Sequence, residues 1–224
     1  DKAGAELAAR AAEIAADPEL LAECFGGELE FGTAGLRGIL DAGTARMNRL
    51  TVGKATQGLA RVLLEDHDCP GVAIAYDSRV GSTLFSKVAA QVLAANGMTV
   101  YLYPRLEPTP ALSFAVRTLS CGAGICITAS HNPAQYNGFK VYGPDGCQLT
   151  PDRAAQIAEK LRLRSYFDKI RTESFASLLA AGRICWIPDA VLDAFVDAVL
   201  ALRMGSGALS DLSVVYTPLH GSGL

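Results

Sequence analysis

Residues 71–103 read GVAIAYDSRVGSTLFSKVAAQVLAANGMTVYLY, and this stretch decides the fold class. Gly71-Val72-Ala73-Ile74-Ala75-Tyr76 is a short apolar run that ends at Asp77-Ser78-Arg79, the pattern of a strand buried on both faces. Leu84, Phe85, Val88, Ala89, Val92 and Leu93 then recur at i, i+1, i+4, i+5, i+8 and i+9, one continuous stripe along a helix. Asn96-Gly97 supplies a left-handed stop, and Met98 to Tyr103 forms the next strand.

The same alternation extends in both directions. Downstream, Pro104, Pro108 and Pro110 mark a loop, Pro110 to Leu119 a helix, and Gly122 to Thr128 another buried strand. A polar loop leads to Phe139-Lys140-Val141-Tyr142, a strand that turns at Pro144-Asp145-Gly146. Upstream, Thr51 to Glu65 has helical spacing, and Phe31-Gly32-Thr33-Ala34-Gly35-Leu36-Arg37-Gly38 is a glycine-rich loop or irregular strand. Ala5 to Cys24 is helical, broken near Asp17-Pro18, where Asp17 caps a second short helix. Strands alternating with helices over 31–150 predict a three-layer α/β/α domain with a mixed, mostly parallel sheet.

After Thr150 the pattern changes. Pro151 to Leu163, Ser174 to Ala181 and Pro188 to Met204 are helical, the last with a stripe of Val191, Leu192, Phe195, Val196, Val199 and Leu200. Past Gly205-Ser206-Gly207, Leu212 to Thr217 reads as a strand feeding a glycine turn, the first strand of a second similar domain. The expected organisation is therefore N-terminal helices over 1–30, the α/β/α domain over 31–150, helices over 151–205 and the opening of another unit over 206–224. An apolar strand lacking neighbours is a template for association, so 212–217 is expected to pair with another copy or to dock on the helices before it.

Composition narrows the function. The chain has 224 residues, 50 % apolar and 19 % charged, with a net charge of −3, a pI near 5.6 and a mean hydropathy of +0.23. These are values of a packed core, not of a disordered chain. No basic block tracks a phosphate backbone, so nucleic acid is excluded as the expected partner. No apolar run reaches the roughly 18 residues of a membrane span. Six cysteines lack metal-like spacing and read as reduced thiols, with the cytoplasm as the expected compartment.

The chemistry concentrates in Thr128-Ala129-Ser130-His131-Asn132-Pro133, followed by Tyr136-Asn137-Gly138-Phe139-Lys140. A strand delivers Ser130 into a turn shaped by Asn-Pro and Asn-Gly, at the end of an open sheet where ligands bind. A hydroxyl that carries a group, a neighbouring histidine as base and Lys140 as a cation for developing charge make a nucleophilic constellation. An isolated Ser-His-Asn-Pro is equally compatible with an ordinary solvated turn. Asp77-Ser78-Arg79 reads as an ion-paired turn, and His220 as a turn residue.

The longer string resembles the phosphoserine loop of the α-D-phosphohexomutase superfamily. Phe31 to Gly38 resembles that family's N-terminal signature. Arg46-Met47-Asn48, Asp77-Ser78-Arg79, Pro108-Thr109-Pro110 and Tyr216-Thr217-Pro218-Leu219-His220-Gly221 match in order. The likeness runs from Phe31 to Gly223 and is greatest to the branch of bacterial phosphoglucomutases and phosphopentomutases.

What the resemblance implies is a four-domain enzyme that interconverts glucose 1-phosphate and glucose 6-phosphate. Ser130 would carry the phosphoryl group, and glucose 1,6-bisphosphate would be the intermediate and activator. Mg²⁺ would be held partly through the Ser130 phosphate. Arg37 would contact phosphate, a role that suits arginine better than that of base. Lys140 would move a proton and bind phosphate, and His131 would orient the loop or assist. Thr33, Gly35 and Asn132 would complete the phosphate cradle. Phosphopentomutase, phosphomannomutase or a non-catalytic sugar-phosphate binder are the alternatives. The family's metal loop D-G-D-x-D-R, its sugar loop and its distal phosphate loop do not occur here. The resemblance puts them beyond Leu224 and implies that this chain alone does not turn over.

Overall fold

The computed structural model describes residues 2–32, 35–65, 71–162, 170–205 and 212–217. Two helices, α1 (Lys2–Ala15) and α2 (Pro18–Phe25), come first. Asp17 caps α2 by accepting from the N–H groups of Glu19 and Leu20, with Pro18 in the first turn. The helices enclose Ile14, Cys24 and Ala42. Arg10 binds both oxygens of Asp41, at 2.9 and 3.0 Å, and so ties α1 to the loop that follows the first strand.

The sheet has six strands: β1 (Leu36–Ile39), β2 (Val72–Tyr76), β3 (Val100–Leu102), β4 (Ala123–Ile127), β5 (Tyr136–Tyr142) and β6 (Ile184–Trp186). Their order is β1-β5-β4-β2-β3-β6. The run β4-β2-β3-β6 is parallel, whereas β5 pairs antiparallel with both β4 and β1. The expected mixed, mostly parallel sheet is present. Its helices are α3 (Arg49–Glu65), α4 (Ser82–Ala95), α5 (Thr109–Thr118), α6 (Pro151–Arg162), α7 (Phe175–Ala180) and α8 (Asp189–Leu200).

Alternation along the strands sorts the core into two layers. Ile74, Ile125, Ile127, Phe139 and Val100 face α3, α4, α6 and α7. Ala73, Ala75, Cys126 and Tyr142 face α5 and α8, with Leu112, Val116 and Val191 opposite them. The helix after β2 buries Phe85, Ala89, Val92 and Leu93 to 3 % exposure or less, while Leu84 is 40 % exposed and lies off that face. Its stop is as expected: Gly97 takes φ +100, and Met98 N–H donates back to Leu93 O.

Three features depart from the sequence reading. The three-residue strand β6 extends the sheet beyond β3, where only helices were expected. In α8, Val191, Leu192 and Phe195 pack under α5, but Val196, Val199 and Leu200 are 45–60 % exposed. The packing layer ends after two turns of that helix, so among the described residues nothing covers the rest of its apolar stripe. Residues 212–217 are assigned to no strand and join no sheet, with Leu212, Val214, Val215 and Tyr216 60–93 % exposed. A strand exists only in a ladder, and among the described residues nothing offers this segment one. Among the described residues, the Leu212, Val214 and Val215 side chains are exposed and are not part of any core cluster.

Burial in the α5 layer makes the fold sensitive to alkali. Removal from water pushes the Tyr103 phenol from 10.0 up to about 12, helped by the nearby Glu107 carboxylate, and the Cys126 thiol from 9.0 up to about 11. Each group stays protonated in the fold at a pH where the unfolded chain ionises it. Their contribution is complete below pH 9 and is lost as pH rises through the folded values. Each shift corresponds to about 2–3 kcal/mol. Thermal melts are therefore expected to drop steeply between pH 9 and 12, with Tyr103→Phe removing the upper part of that drop. A flat melting profile over the window would contradict this account.

Candidate phosphoryl-transfer site

The central parallel strand β4 is wholly buried and runs on through buried Thr128 and Ala129 before the chain reaches solvent at Ser130. Thr128 N–H donates to Gly138 O at 3.1 Å, so β5 grips the strand up to two residues before the serine. Ser130 N–H donates to Thr128 Oγ1 at 2.9 Å. Its φ is +56°, and among the described residues it shares a left-handed backbone only with Ser120 and glycines. A non-glycine residue in that conformation costs energy and persists where its surroundings impose it, often at functional sites. The Ser130 hydroxyl lies 3.4 Å from His131 Nδ1, at the outer limit of a hydrogen bond. Asn132 closes the turn, its N–H donating to Ala129 O at 3.1 Å.

The other expected residues come from β1 and β5. Arg37 stands opposite Gly138, and Lys140 stands opposite Cys126. Gly138 and Lys140 are two apart on β5 and share a face, so Arg37 and Lys140 lie on the same side of the sheet. Arg37 is exposed and Lys140 half-buried. Thr128, bonded to Gly138, precedes Ser130 by two residues, and Cys126 precedes it by four. At about 3.3 Å per residue, Arg37 sits about 7 Å of strand before the serine and Lys140 about 13 Å. The register brings arginine nearer than lysine, an order that the sequence does not display. Gly35 has φ +77°, and its N–H donates to Gly32 O at 2.8 Å to close the tight turn before β1. Thr33 and His220 lie outside the described residues.

Sequence reading missed how much of this loop is organised by Arg79. Its side chain is only 14 % exposed. Nη1 donates to the carbonyls of Pro133 at 3.0 Å and Tyr136 at 3.1 Å. Nη2 donates to those of Ser130 and Asn132, both at 2.6 Å. Nε faces Asp77 Oδ2 at 3.5 Å, the ion pair the sequence suggested. Asp77 Oδ1 accepts from Arg79 N–H and from the Ser82 hydroxyl at the start of α4. Asn137 donates to Ser82 Oγ and to Val80 O, which joins β5 to the same network.

The donor set does not fit a divalent cation by itself. Among the described residues no group of three or more His, Cys, Asp or Glu side chains is placed to hold one. Asp77 is bonded to Ser82 and to Arg79 N–H through Oδ1 and ion-paired with the Arg79 side chain, and one carboxylate cannot supply the six oxygens that Mg²⁺ asks for. Among the described residues, no helix is long and apolar enough to cross a membrane.

The fold is thus an α/β/α domain in which β4 leads to a strained, exposed serine, with a glycine-rich turn before β1 and cations on β1 and β5. The model of the phosphoglucomutase/phosphomannomutase α/β/α domain I matches residues 28–166, and the chain belongs to that family. It is 41 % identical over 197 residues to a phosphoglucomutase of Staphylococcus haemolyticus and 42 % identical over 200 residues to that of Staphylococcus aureus. These matches cover 88 and 89 % of this chain but 36 % of each relative, so the chain spans about a third of their length. A Thermus thermophilus structure described as a phosphomannomutase superposes with a TM-score of 0.65 at 27 % identity, over 78 % of this chain and 36 % of the other. A Burkholderia thailandensis phosphoglucomutase/phosphomannomutase family protein shares the fold at a TM-score of 0.58 and 21 % identity, over 78 % of this chain and 35 % of that one.

Proposed function

We propose that this chain is the phosphoryl-carrying portion of a phosphosugar mutase that interconverts α-D-glucose 1-phosphate and glucose 6-phosphate. The observation that carries the reading is Ser130, held left-handed and solvent-facing at the carboxyl end of β4 in a member of this family. In the proposed cycle the phosphorus–oxygen bond of phosphoserine 130 breaks as a sugar hydroxyl forms its own bond to phosphorus. The hydroxyl proton passes to His131 or Lys140 and on to the departing Ser130 oxygen, which regains its hydroxyl. The resulting glucose 1,6-bisphosphate turns over, and its other phosphoryl group returns to the Ser130 oxygen. Transfer of this kind relies on positioning and on neutralising charge at the moving group. Arg37, exposed on the adjacent face, serves that role, and Asn132 and Gly35 help to shape the cradle. Mg²⁺ would add charge neutralisation when bound, with the Ser130 phosphate as a ligand. A cytoplasmic location and a domain boundary near residue 206 go with this reading.

The test is intact-protein mass spectrometry after incubation with glucose 1,6-bisphosphate and Mg²⁺. The expected result is a gain of one phosphoryl group per chain, mapped to the peptide that contains Ser130. Binding of the bisphosphate with no mass gain would favour a sugar-phosphate binding module instead. Mannose and ribose bisphosphates, compared as donors, rank the sugar.

A further inference from the structure

We infer that Arg79 is the positioning residue of the Ser130 loop, setting the direction of the serine hydroxyl without touching the phosphoryl group. This rests on the reading of Ser130 as the phosphoryl carrier. Four carbonyls spread along the loop, those of Ser130, Asn132, Pro133 and Tyr136, converge on one guanidinium at 2.6–3.1 Å. Carbonyl dipoles aimed at one point repel each other unless a cation occupies it. Only arginine offers donors spread across a rigid plane to meet them, whereas lysine has three donors on a single nitrogen.

Nε lies 3.5 Å from Asp77 Oδ2, an ion pair without a hydrogen bond, and the carboxylate that balances the charge is 9 % exposed. Both Nη atoms are committed to loop carbonyls, which separates the role of Arg79 from that of exposed Arg37. One of the four acceptors is the carbonyl of Ser130 itself, the residue at φ +56°. The contact holds the peptide after the serine in place, and with it the left-handed backbone from which the hydroxyl is presented beside His131. Asp77 in turn is fixed to the first residue of α4 through Ser82. The loop is therefore anchored to a helix and two strands through one side chain, 51 to 57 residues away in sequence.

Three measurements test the assignment. In the wild-type chain, nitrogen-15 spectra should show distinct, slowly rotating Nη1 and Nη2 groups for Arg79; a single averaged signal overturns the clamp. In Arg79→Ala, hydrogen exchange of the amides over 130–136 should rise by about 10-fold or more while β4 and β5 keep their rates, as local opening requires. Unchanged loop exchange, or equal acceleration across the sheet, overturns the proposal. Should the alanine variant fail to fold, Arg79→Lys gives the same reading, since its ammonium cannot span the four carbonyls. Finally, phosphoryl uptake from glucose 1,6-bisphosphate should slow by about 100-fold in Arg79→Ala, the scale of a small misplacement. Millimolar guanidinium should restore part of it, a rescue that loss of general stability would not produce. A wild-type chain that takes up no phosphoryl group would count against the mutase reading alone, because the spectra and the exchange rates still decide the clamp. Uptake at the wild-type rate in Arg79→Ala would count against Arg79 alone.

Discussion

Ser130→Ala is expected to abolish phosphoryl uptake from glucose 1,6-bisphosphate while leaving the fold as stable as before. The hydroxyl is the only heavy atom removed, the residue is exposed, and among the described residues its one polar contact is the 3.4 Å approach to His131. Stability should change by less than about 0.5 kcal/mol, as at other exposed positions. Uptake should fall by on the order of 10⁴ or more, the scale on which removing a nucleophile acts. Ser130→Gly sharpens the test by moving stability and chemistry in opposite directions. Glycine adopts φ +56° without strain and should stabilise the chain by about 1 kcal/mol. It too leaves no oxygen to accept the phosphoryl group. A variant that melts higher and carries no label assigns the loss to the hydroxyl, not to the loop's shape. Label persisting above a tenth of the wild-type level in either variant would mean that another residue is the acceptor.

Sequence reading succeeded where the information is local. The apolar run 72–76, the stripe Phe85, Ala89, Val92 and Leu93, the Asp17 cap and the Gly97 stop are each set by neighbours within a few residues, and each is found in the fold. It failed where a remote partner decides the outcome. Ile184–Trp186 is too short to show a period, and it is a strand only because β3 offers a free edge. Leu84 and the second half of α8 match a buried stripe in spacing but are exposed, since no layer among the described residues reaches them. The stretch 212–217 has strand composition and, among the described residues, no ladder to join, so its expected pairing is untested.

The site divides in the same way. The serine, the histidine and the turn residues are adjacent in the chain and could be read together. That Arg37 lies nearer the serine level than Lys140 follows only from antiparallel pairing of β1, β5 and β4. The work of Arg79 was invisible, because its ion pair with Asp77 is local whereas its four carbonyl partners lie across the fold.

Alanine at Gly138 or Gly35 is expected to destabilise the chain more than any other single methyl added among its glycines at this end of the sheet. At Gly138 a Cβ would stand 2.5 Å from Thr128 O and 3.0 Å from Leu36 O, so backbone on both sides obstructs it. No side-chain rotation relieves backbone contacts; β4, β5 and β1 must part. Overpacking of that kind costs about 1–3 kcal/mol. Weakening the Thr128 N–H to Gly138 O bond adds about 1 kcal/mol. At Gly35 the Cβ would lie 1.9 Å from Phe139 O, and a left-handed φ of +77° adds about 1–2 kcal/mol for any other residue. Either change should lower the melting temperature by about 10 °C, at 2–4 °C per kcal/mol for a domain of this size. Gly32 is the control, since a Cβ there meets nothing within 4 Å and Gly32→Ala should stay within about 0.5 kcal/mol of the parent. The consequence for chemistry follows from the same geometry. Gly138 is the residue through which β5 holds both Arg37 and the approach to Ser130, so parting the strands separates the cation from the acceptor. Gly138→Ala, assayed below its own melting temperature, should still be folded and yet lose most of its phosphoryl uptake. A Gly138→Ala chain that melts within 2 °C of the parent, on the scale of roughly 0.5–1 kcal/mol, would show that the three strands are not packed as closely as this fold requires.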